Sequence, residues 1–157
     1  MIRKAKLNDL DKIEEIFDYA RSFMRKTGNM HQWDGGYPQR EILEDDIKKD
    51  RLYVFDNDGI EGVFVFFIGE DPTYNYIEGE WLSSEEYGVF HRVANGGKLK
   101  GMVKQMMDFA SPYTTHLRID THEDNSVMQH VLEKNGFKKC GIIYLENGDP
   151  RIAYEKI

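Results

Sequence analysis

Residues 89–113, which read VFHRVANGGKLKGMVKQMMDFASPY, place an apolar strand pattern, a loop of glycines and lysines, and a helical pattern in direct succession. The first turn of a helix carries backbone N–H groups without intrahelical partners, and the helix dipole adds partial positive charge there. Phosphate oxygens bind readily at such a position. Two interpretations stay open for this segment alone: a phosphate-binding loop, and a Gly-rich turn whose lysines are solvated.

The two common nucleotide-binding motifs do not match this loop. Counted from Gly96, a Walker A loop requires Lys and then Ser or Thr where the chain has Met102 and Val103. The G-x-G-x-x-G spacing of dinucleotide-binding folds is also missing. Both of these nucleotide-binding classes are therefore disfavoured.

The length and composition indicate one soluble globular domain, spanning residues 1–157, with 40% apolar residues. We expect a cytoplasmic protein, because the N-terminus lacks the apolar run of a signal peptide and no stretch approaches the ~20 apolar residues of a membrane span. The single cysteine excludes an intrachain disulfide framework. A net charge of −7 argues against nonspecific nucleic-acid binding, and the oligomeric state stays open, a homodimer included.

The apolar periodicity along the chain predicts the order β-α-α-β-β-β-α-β-α-β-β. Asn8 is expected to cap the first helix, Gly28 to end it, and Pro38 to open the second. Residues 71–86 stay ambiguous between a loop and part of a hairpin. Helices interspersed with mixed strands predict an α/β fold with a mixed, largely antiparallel sheet. Residues 87–120 should form a parallel, right-handed strand–helix–strand unit.

The stretch LRIDTHEDNSVMQHVLEKNGF reads as a strand, an Asn at a helix start, and a helix that ends in Asn-Gly-Phe. This helix is expected to bury Val127, Val131 and Leu132. Together with residues 89–113, the stretch resembles the GNAT superfamily of acetyl-CoA-dependent N-acetyltransferases. The resemblance extends over nearly the whole chain. It implies the GNAT fold, acetyl-CoA as cosubstrate, and an amine acceptor on a small molecule, amino acid or peptide.

In the GNAT family, a loop of the form [Q/R]-x-x-G-x-[G/A] wraps the pyrophosphate of CoA. The stretch that resembles it here is Lys98-Leu99-Lys100-Gly101-Met102-Val103. Gly101 matches the pattern strictly, Lys98 supplies the positive charge of the first position, and Val103 replaces a small residue.

The resemblance also assigns residues to the pantetheine arm of CoA. The preceding family strand pairs with this arm through its backbone, a role that falls to Val93, Ala94 and Asn95. Asn125 matches a family Asn that meets pantetheine, and it is equally suited to cap the following helix.

Acetyl transfer to an amine requires a base, because an ammonium group has no lone pair with which to attack. The candidates are Glu80, Glu78 and His91, with Glu80 favoured through a bridging water. Glu80 precedes Trp81, whose ring is expected to raise the pKa of the carboxyl by desolvation. Strand alternation allows only one of His91 and Arg92 to face the cleft.

Many GNAT members carry a Tyr in the last helix that protonates the departing thiolate, and Leu132 takes that position here. Tyr144 on the next strand is a substitute candidate for the acid. Its alternative role is that of an aromatic residue in the sheet. The thiolate also has the option of leaving without a dedicated acid.

The segment HQWDGGYP after the first helix is the candidate acceptor pocket. Trp33, Tyr37 and Trp81 offer aromatic walls for a cationic amine, and Asp34 offers an anion. The alternative interpretation is that Trp33 and Tyr37 anchor this loop to the core. The histidines show no metal-ligand spacing, so no metal site is predicted.

These residues favour an N-acetyltransferase that moves an acetyl group from acetyl-CoA to a primary amine by direct attack. Leu132 and the degenerate pyrophosphate loop favour the alternative, which is an acyl-CoA-binding sensor or interaction module with weak or no catalysis. Turnover of acetyl-CoA against an amine panel separates these hypotheses.

Overall fold

The computed structural model describes residues 1–157, which form eight strands and four α-helices. The strands are β1 Ile2–Lys4, β2 Leu52–Asp56, β3 Ile60–Ile68, β4 Glu78–Gly79, β5 Gly88–Asn95, β6 Leu117–Thr121, β7 Lys138–Tyr144 and β8 Pro150–Lys156. The helices are α1 Leu10–Lys26, α2 Arg40–Lys48, α3 Met102–Ala110 and α4 Ser126–Lys134. Short 3-10 turns cover Leu7–Asp9, Asp34–Gly36 and Pro72–Tyr74.

The sheet has the strand order β1-β2-β3-β5-β6-β8-β7-β4. Strand β5 pairs with β6 in parallel, with Gly88 opposite Leu117 and Val89 opposite Arg118. The pairs β1–β2, β2–β3, β6–β8, β7–β8 and β4–β7 are antiparallel. The predicted mixed, largely antiparallel sheet and the parallel β5-α3-β6 unit are therefore confirmed.

The chain divides into two compact units. Unit 1 comprises Met1–Phe66 and His91–Met102, and unit 2 comprises Phe67–Phe90 and Val103–Ile157. In unit 1, helix α1 buries one apolar stripe at helical spacing, formed by Leu10, Ile13, Ile16, Phe17, Ala20 and Met24. In unit 2, one core cluster consists of Tyr74, Tyr87, Val89, Ile143 and Ala153.

The helix boundaries differ from the sequence prediction in two places. Asn8 does not cap α1, because it lies within the 3-10 turn that precedes the helix. There the Asp9 carboxylate accepts the Lys6 N–H at 2.8 Å. Helix α2 begins at Arg40 with Gln39 as its N-cap residue, so Pro38 lies outside the helix.

Glycines follow the ends of α1 and α4 as predicted, but of the three predicted core positions of α4 only Leu132 is buried, and Val131 is half-buried. Gly28 and Gly136 follow α1 and α4 with φ of 90° and 89°. Leu132 is fully buried, whereas Val127 is 41% exposed. Five positions at about 100° per residue place Val127 about 140° around the helix from Leu132, so both cannot face one core.

Within the ambiguous residues 71–86, the structure forms the two-residue strand β4, whose Glu78 and Gly79 lie opposite Ile142 and Gly141 of β7. None of the helices combines the length and the apolarity that crossing a membrane requires.

Candidate functional site

The loop between β5 and α3 is shaped by the side chain of Asn95. Its Oδ1 accepts the Gly97 N–H at 2.8 Å, and its Nδ2 donates to the Leu99 carbonyl at 2.9 Å. The Gly96 N–H donates to the Glu61 carbonyl at 2.9 Å. Asn95 therefore holds the loop in place from within, in the manner of an Asx turn.

Gly101 is the last residue before α3 and has a φ of +62°, in the left-handed region that favours glycine. A Cβ placed there would meet nothing within 4 Å, so the backbone is open to an approaching group. The Met102 and Val103 side chains are buried, at 7% and 4% exposure. Lys98 and Lys100 are exposed. The predicted pyrophosphate segment thus coincides with the start of a helix, where backbone N–H groups and lysines are the groups that suit an anion.

Strand β5 is irregular at Arg92, which has a φ of +47°. Its guanidinium donates to both carboxylate oxygens of Asp46 at 2.8 Å and to the Tyr37 hydroxyl at 2.9 Å. A non-glycine residue in this region costs about 1–3 kcal/mol, and the charged hydrogen bonds offset that cost. Because the backbone leaves regular strand geometry at Arg92, the simple alternation assumed for His91 and Arg92 does not apply here.

The predicted acceptor loop is tied to unit 1 by its aromatic residues. The Trp33 ring lies 5.4 Å from Phe17 and 6.5 Å from Tyr37, measured between centroids. Arg25 donates to the Trp33 carbonyl at 3.3 Å, and the exposed Asp34 carboxylate lies 3.5 Å from its guanidinium. These contacts fit the alternative in which Trp33 and Tyr37 anchor the loop to the core. A role of the loop in binding the acceptor stays a prediction.

In unit 2, Glu80 and Trp81 follow β4. Glu80 is exposed, and its N–H donates to the Cys140 carbonyl at 3.1 Å. The Trp81 indole donates to the Tyr74 carbonyl at 2.8 Å, and its ring lies 4.0 Å from the Arg118 guanidinium carbon. Trp81 therefore packs against Arg118, and Glu80 is exposed to solvent rather than covered by the Trp81 ring.

Tyr144 on β7 donates its hydroxyl to Glu78 Oε1 at 2.7 Å. This hydrogen bond to Glu78 raises the pKa of Tyr144 above its ordinary value, with smaller contributions from burial and from the Glu78 charge. A higher pKa makes the phenol slower to give up its proton. The contact shows what Tyr144 does in the sheet, and its predicted role as the acid stays untested.

Helix α4 carries the two remaining predicted positions. Asn125 is 9% exposed, and its Oδ1 accepts the Met128 N–H at 3.0 Å, so the predicted cap is confirmed. Leu132 is 0% exposed. A side chain at this position therefore lies in the core of unit 2, and leucine has no proton to give to a thiolate.

Sequence reasoning missed the charged residues that the structure buries. Asp46, Arg118, Glu155 and His116 are all 9% exposed or less. The signal that could have revealed them is a charged residue within an apolar strand or on the inner face of a helix, as in LRID and AYEK. No group of three or more His, Cys, Asp or Glu side chains is arranged to hold a metal ion.

Comparisons with known proteins identify the family. Neither a scan against protein-family models nor a search of curated proteins finds a match. Among solved structures, the chain is similar to a GNAT-family acetyltransferase from Streptococcus agalactiae, with 32% identity, a TM-score of 0.88, and 100% of this chain and 94% of that chain covered. The chain belongs to the GNAT family of acetyltransferases, and the protein is an acyltransferase.

Two other solved structures are also similar. A putative acetyltransferase from Staphylococcus aureus has 28% identity and a TM-score of 0.71, with 99% of this chain and 97% of that chain covered. A ribosomal-protein-alanine N-acetyltransferase from Brucella melitensis has 14% identity and a TM-score of 0.64, with 100% and 99% covered. The similarity to the Brucella protein concerns the fold alone.

Proposed function

We propose that this acyltransferase moves the acetyl group of acetyl-CoA to a primary amine of a small molecule, amino acid or peptide by direct attack. The observation that carries the proposal is the junction of β5 and α3. There an open glycine at φ +62° precedes the first helical turn, and exposed Lys98 and Lys100 lie beside it in the chain. The family relationship supplies the class of reaction.

The residues at this junction suit the pyrophosphate of CoA. Backbone N–H groups of residues 98–103 would donate to its oxygens, and the space beside the backbone is open at Gly101. The backbone of Val93, Ala94 and Asn95 would pair with the pantetheine arm. When bound, acetyl-CoA supplies the thioester carbonyl carbon that the amine attacks.

For the base we propose Glu80 acting through a water, with His91 as the second candidate. The exposure of Glu80 supports the water relay, because solvent reaches the carboxylate. Glu80→Gln should then lower turnover without changing acetyl-CoA affinity, with partial rescue at high pH, where more of the amine is neutral. If the pH–rate profiles of the wild type and of Glu80→Gln coincide, with equal maximal rates, Glu80 is not the base. His91→Gln is then the next variant to measure.

The test of the proposed function is turnover of acetyl-CoA with a panel of amines, followed by thiol release and by mass spectrometry of the product. The panel contains amino acids, polyamines and peptides with an N-terminal Ala, the last because the Brucella structure is named for alanine acetylation. An acetylated amine is the expected result. Failure of acetyl-CoA to bind at all would overturn the proposal.

A second candidate function is an acyl-CoA-binding sensor. The observation that favours it is Leu132, which is fully buried at the position where many family members carry an acid. Tight binding of acetyl-CoA without turnover of any amine in the panel would select this alternative.

A further inference from the structure

Unit 2 contains a cavity of about 470 Å³, and none of the residues that line it is among those proposed to contact acetyl-CoA. The rings of Tyr74, Trp81 and Tyr87 line it together with Arg118. Pockets for small molecules in proteins span ~300–1,000 Å³ and combine apolar walls with a few placed polar groups. The volume of the cavity lies in this range, and its lining combines aromatic rings with charged and polar side chains.

One nitrogen of the Arg118 guanidinium has no hydrogen-bond partner in the protein. The Arg118 side chain is 6% exposed, and its guanidinium carbon lies 4.0 Å from the centroids of both Trp81 and Tyr87. Nε donates to Glu155 at 2.7 Å, and Nη2 donates to the Ser83 carbonyl at 2.6 Å. Nη1 has no protein partner, so its two N–H donors are available to a ligand.

Arg118 shares its carboxylate partner with a histidine. The His116 Nδ1 lies 3.0 Å from the Glu86 carbonyl, and its Nε2 lies 2.6 Å from the Glu155 carboxylate. The single carboxylate of Glu155, which is 0% exposed, thus contacts both His116 and Arg118 Nε. An anionic group of a ligand beside Arg118 Nη1 would meet the positive charge of the guanidinium.

The solvent side of the cavity has the opposite charge. Glu70, Glu85 and Glu86 line it and are exposed, while Arg118 is buried beneath them. A phosphate group, with its larger negative charge, would be repelled by these carboxylates. A ligand with one carboxylate and one ammonium group suits both sides of the cavity. The carboxylate would bind Arg118, and the ammonium group would lie near the glutamates.

We propose that this cavity binds a free α-amino acid, with the carboxylate on Arg118 Nη1 and the ammonium group toward the glutamates. Binding of this kind is independent of acetyl transfer. Amino-acid binding is therefore measured without acetyl-CoA. An absence of binding to the cavity can then be told apart from an absence of acetyl transfer.

The test is calorimetry of the full chain with each of the proteinogenic amino acids in turn. At least one should bind with a Kd in the millimolar range or tighter, and its carboxamide should bind about tenfold more weakly or worse, because it lacks the charge that Nη1 meets. Absence of binding by every amino acid at about 10 mM, or equal binding of acid and carboxamide, would overturn the proposal.

Two variants locate the binding. Ser84→Tyr places a ring in the cavity from an exposed lining residue and should abolish binding. Its matched control is Ser22→Tyr on the exposed face of α1 in unit 1, which should bind as the wild type does. Arg118→Lys keeps a cation for Glu155 but removes Nη1, and should weaken binding about tenfold. Unchanged affinity in a folded Ser84→Tyr protein would place the binding elsewhere and reject the cavity.

Discussion

Arg92 and Asp46 are joined by two hydrogen bonds, from Nε to Oδ2 and from Nη2 to Oδ1, each 2.8 Å long. Asp46 is 5% exposed, and Arg92 has the positive φ that interrupts strand β5. The pair lies within unit 1 and joins α2 to the strand whose backbone we propose for pantetheine. It therefore links the stability of unit 1 to the geometry of the proposed acetyl-CoA site.

Asp46→Asn should destabilise the protein by about 3 kcal/mol, because it leaves a largely buried guanidinium without its counterion. Urea unfolding monitored by circular dichroism measures this change. The control is Asp45→Asn, the adjacent residue, which is exposed and pairs with Lys49 at 2.8 Å on the helix surface. Similar losses in the two variants would show that the Arg92 pair adds no stability of its own.

Gly101 is required for its backbone conformation, since its φ is +62° and a Cβ would meet no atom within 4 Å. Gly101→Ala should therefore cost about 1–2 kcal/mol of folding stability, and Gly101→Asn should cost less, because Asn tolerates the left-handed region. Unfolding free energies of the two variants test this order. The opposite order would mean that φ does not limit substitution here.

The same position tests the proposed pyrophosphate site. Gly101→Glu and Gly101→Gln have side chains of equal size and differ in charge. The Glu variant should bind acetyl-CoA more weakly than the Gln variant by about tenfold, because like charges repel beside the phosphates. Calorimetry at low salt is the measurement. Equal affinities would place the pyrophosphate away from residue 101.

The sequence predicted those features that depend on neighbouring residues. The stripe of α1 and the glycines after α1 and α4 follow from spacing and from local backbone preference. The buried ion pairs could not be read in this way, because Arg92 and Asp46 are 46 positions apart and Arg118 and Glu155 are 37 apart. Strand β4 has two residues, too few for a period of two to stand out.

Leu132 illustrates the limit of position matching. Because many family members carry a Tyr at this position, the match by position suggests that Leu132→Tyr would increase turnover. Leu132 is 0% exposed, however, so a larger side chain has no free space there. Leu132→Tyr should instead overpack the core, cost about 1–3 kcal/mol, and leave turnover no higher. His130→Tyr, on the exposed side of the same helix, is the control and should leave stability nearly unchanged. A stable Leu132→Tyr protein with faster turnover would contradict this account of the core.

Glu155 should make stability depend on pH in the acid range. Burial by itself raises the pKa of its carboxyl, but hydrogen bonds from His116 and Arg118, and from the Leu82 N–H, together bring the pKa below its ordinary value. A carboxyl whose pKa is lower in the folded state stabilises the protein above its unfolded pKa, near 4.3. That stability is lost as the pH falls through the folded value.

The unfolding free energy of the wild type should therefore fall between about pH 5 and pH 3 more steeply than that of Glu155→Gln, which has no carboxyl at this position. The comparison is confined to this range because histidines of the unfolded chain are already protonated there. At neutral pH, Glu155→Gln should be the less stable protein, since His116 and Arg118 lose their shared anion. Glu146→Gln, in the exposed turn before β8, should keep the wild-type slope. If Glu155→Gln follows the wild-type curve throughout, the carboxylate of Glu155 does not stabilise the fold through its charge.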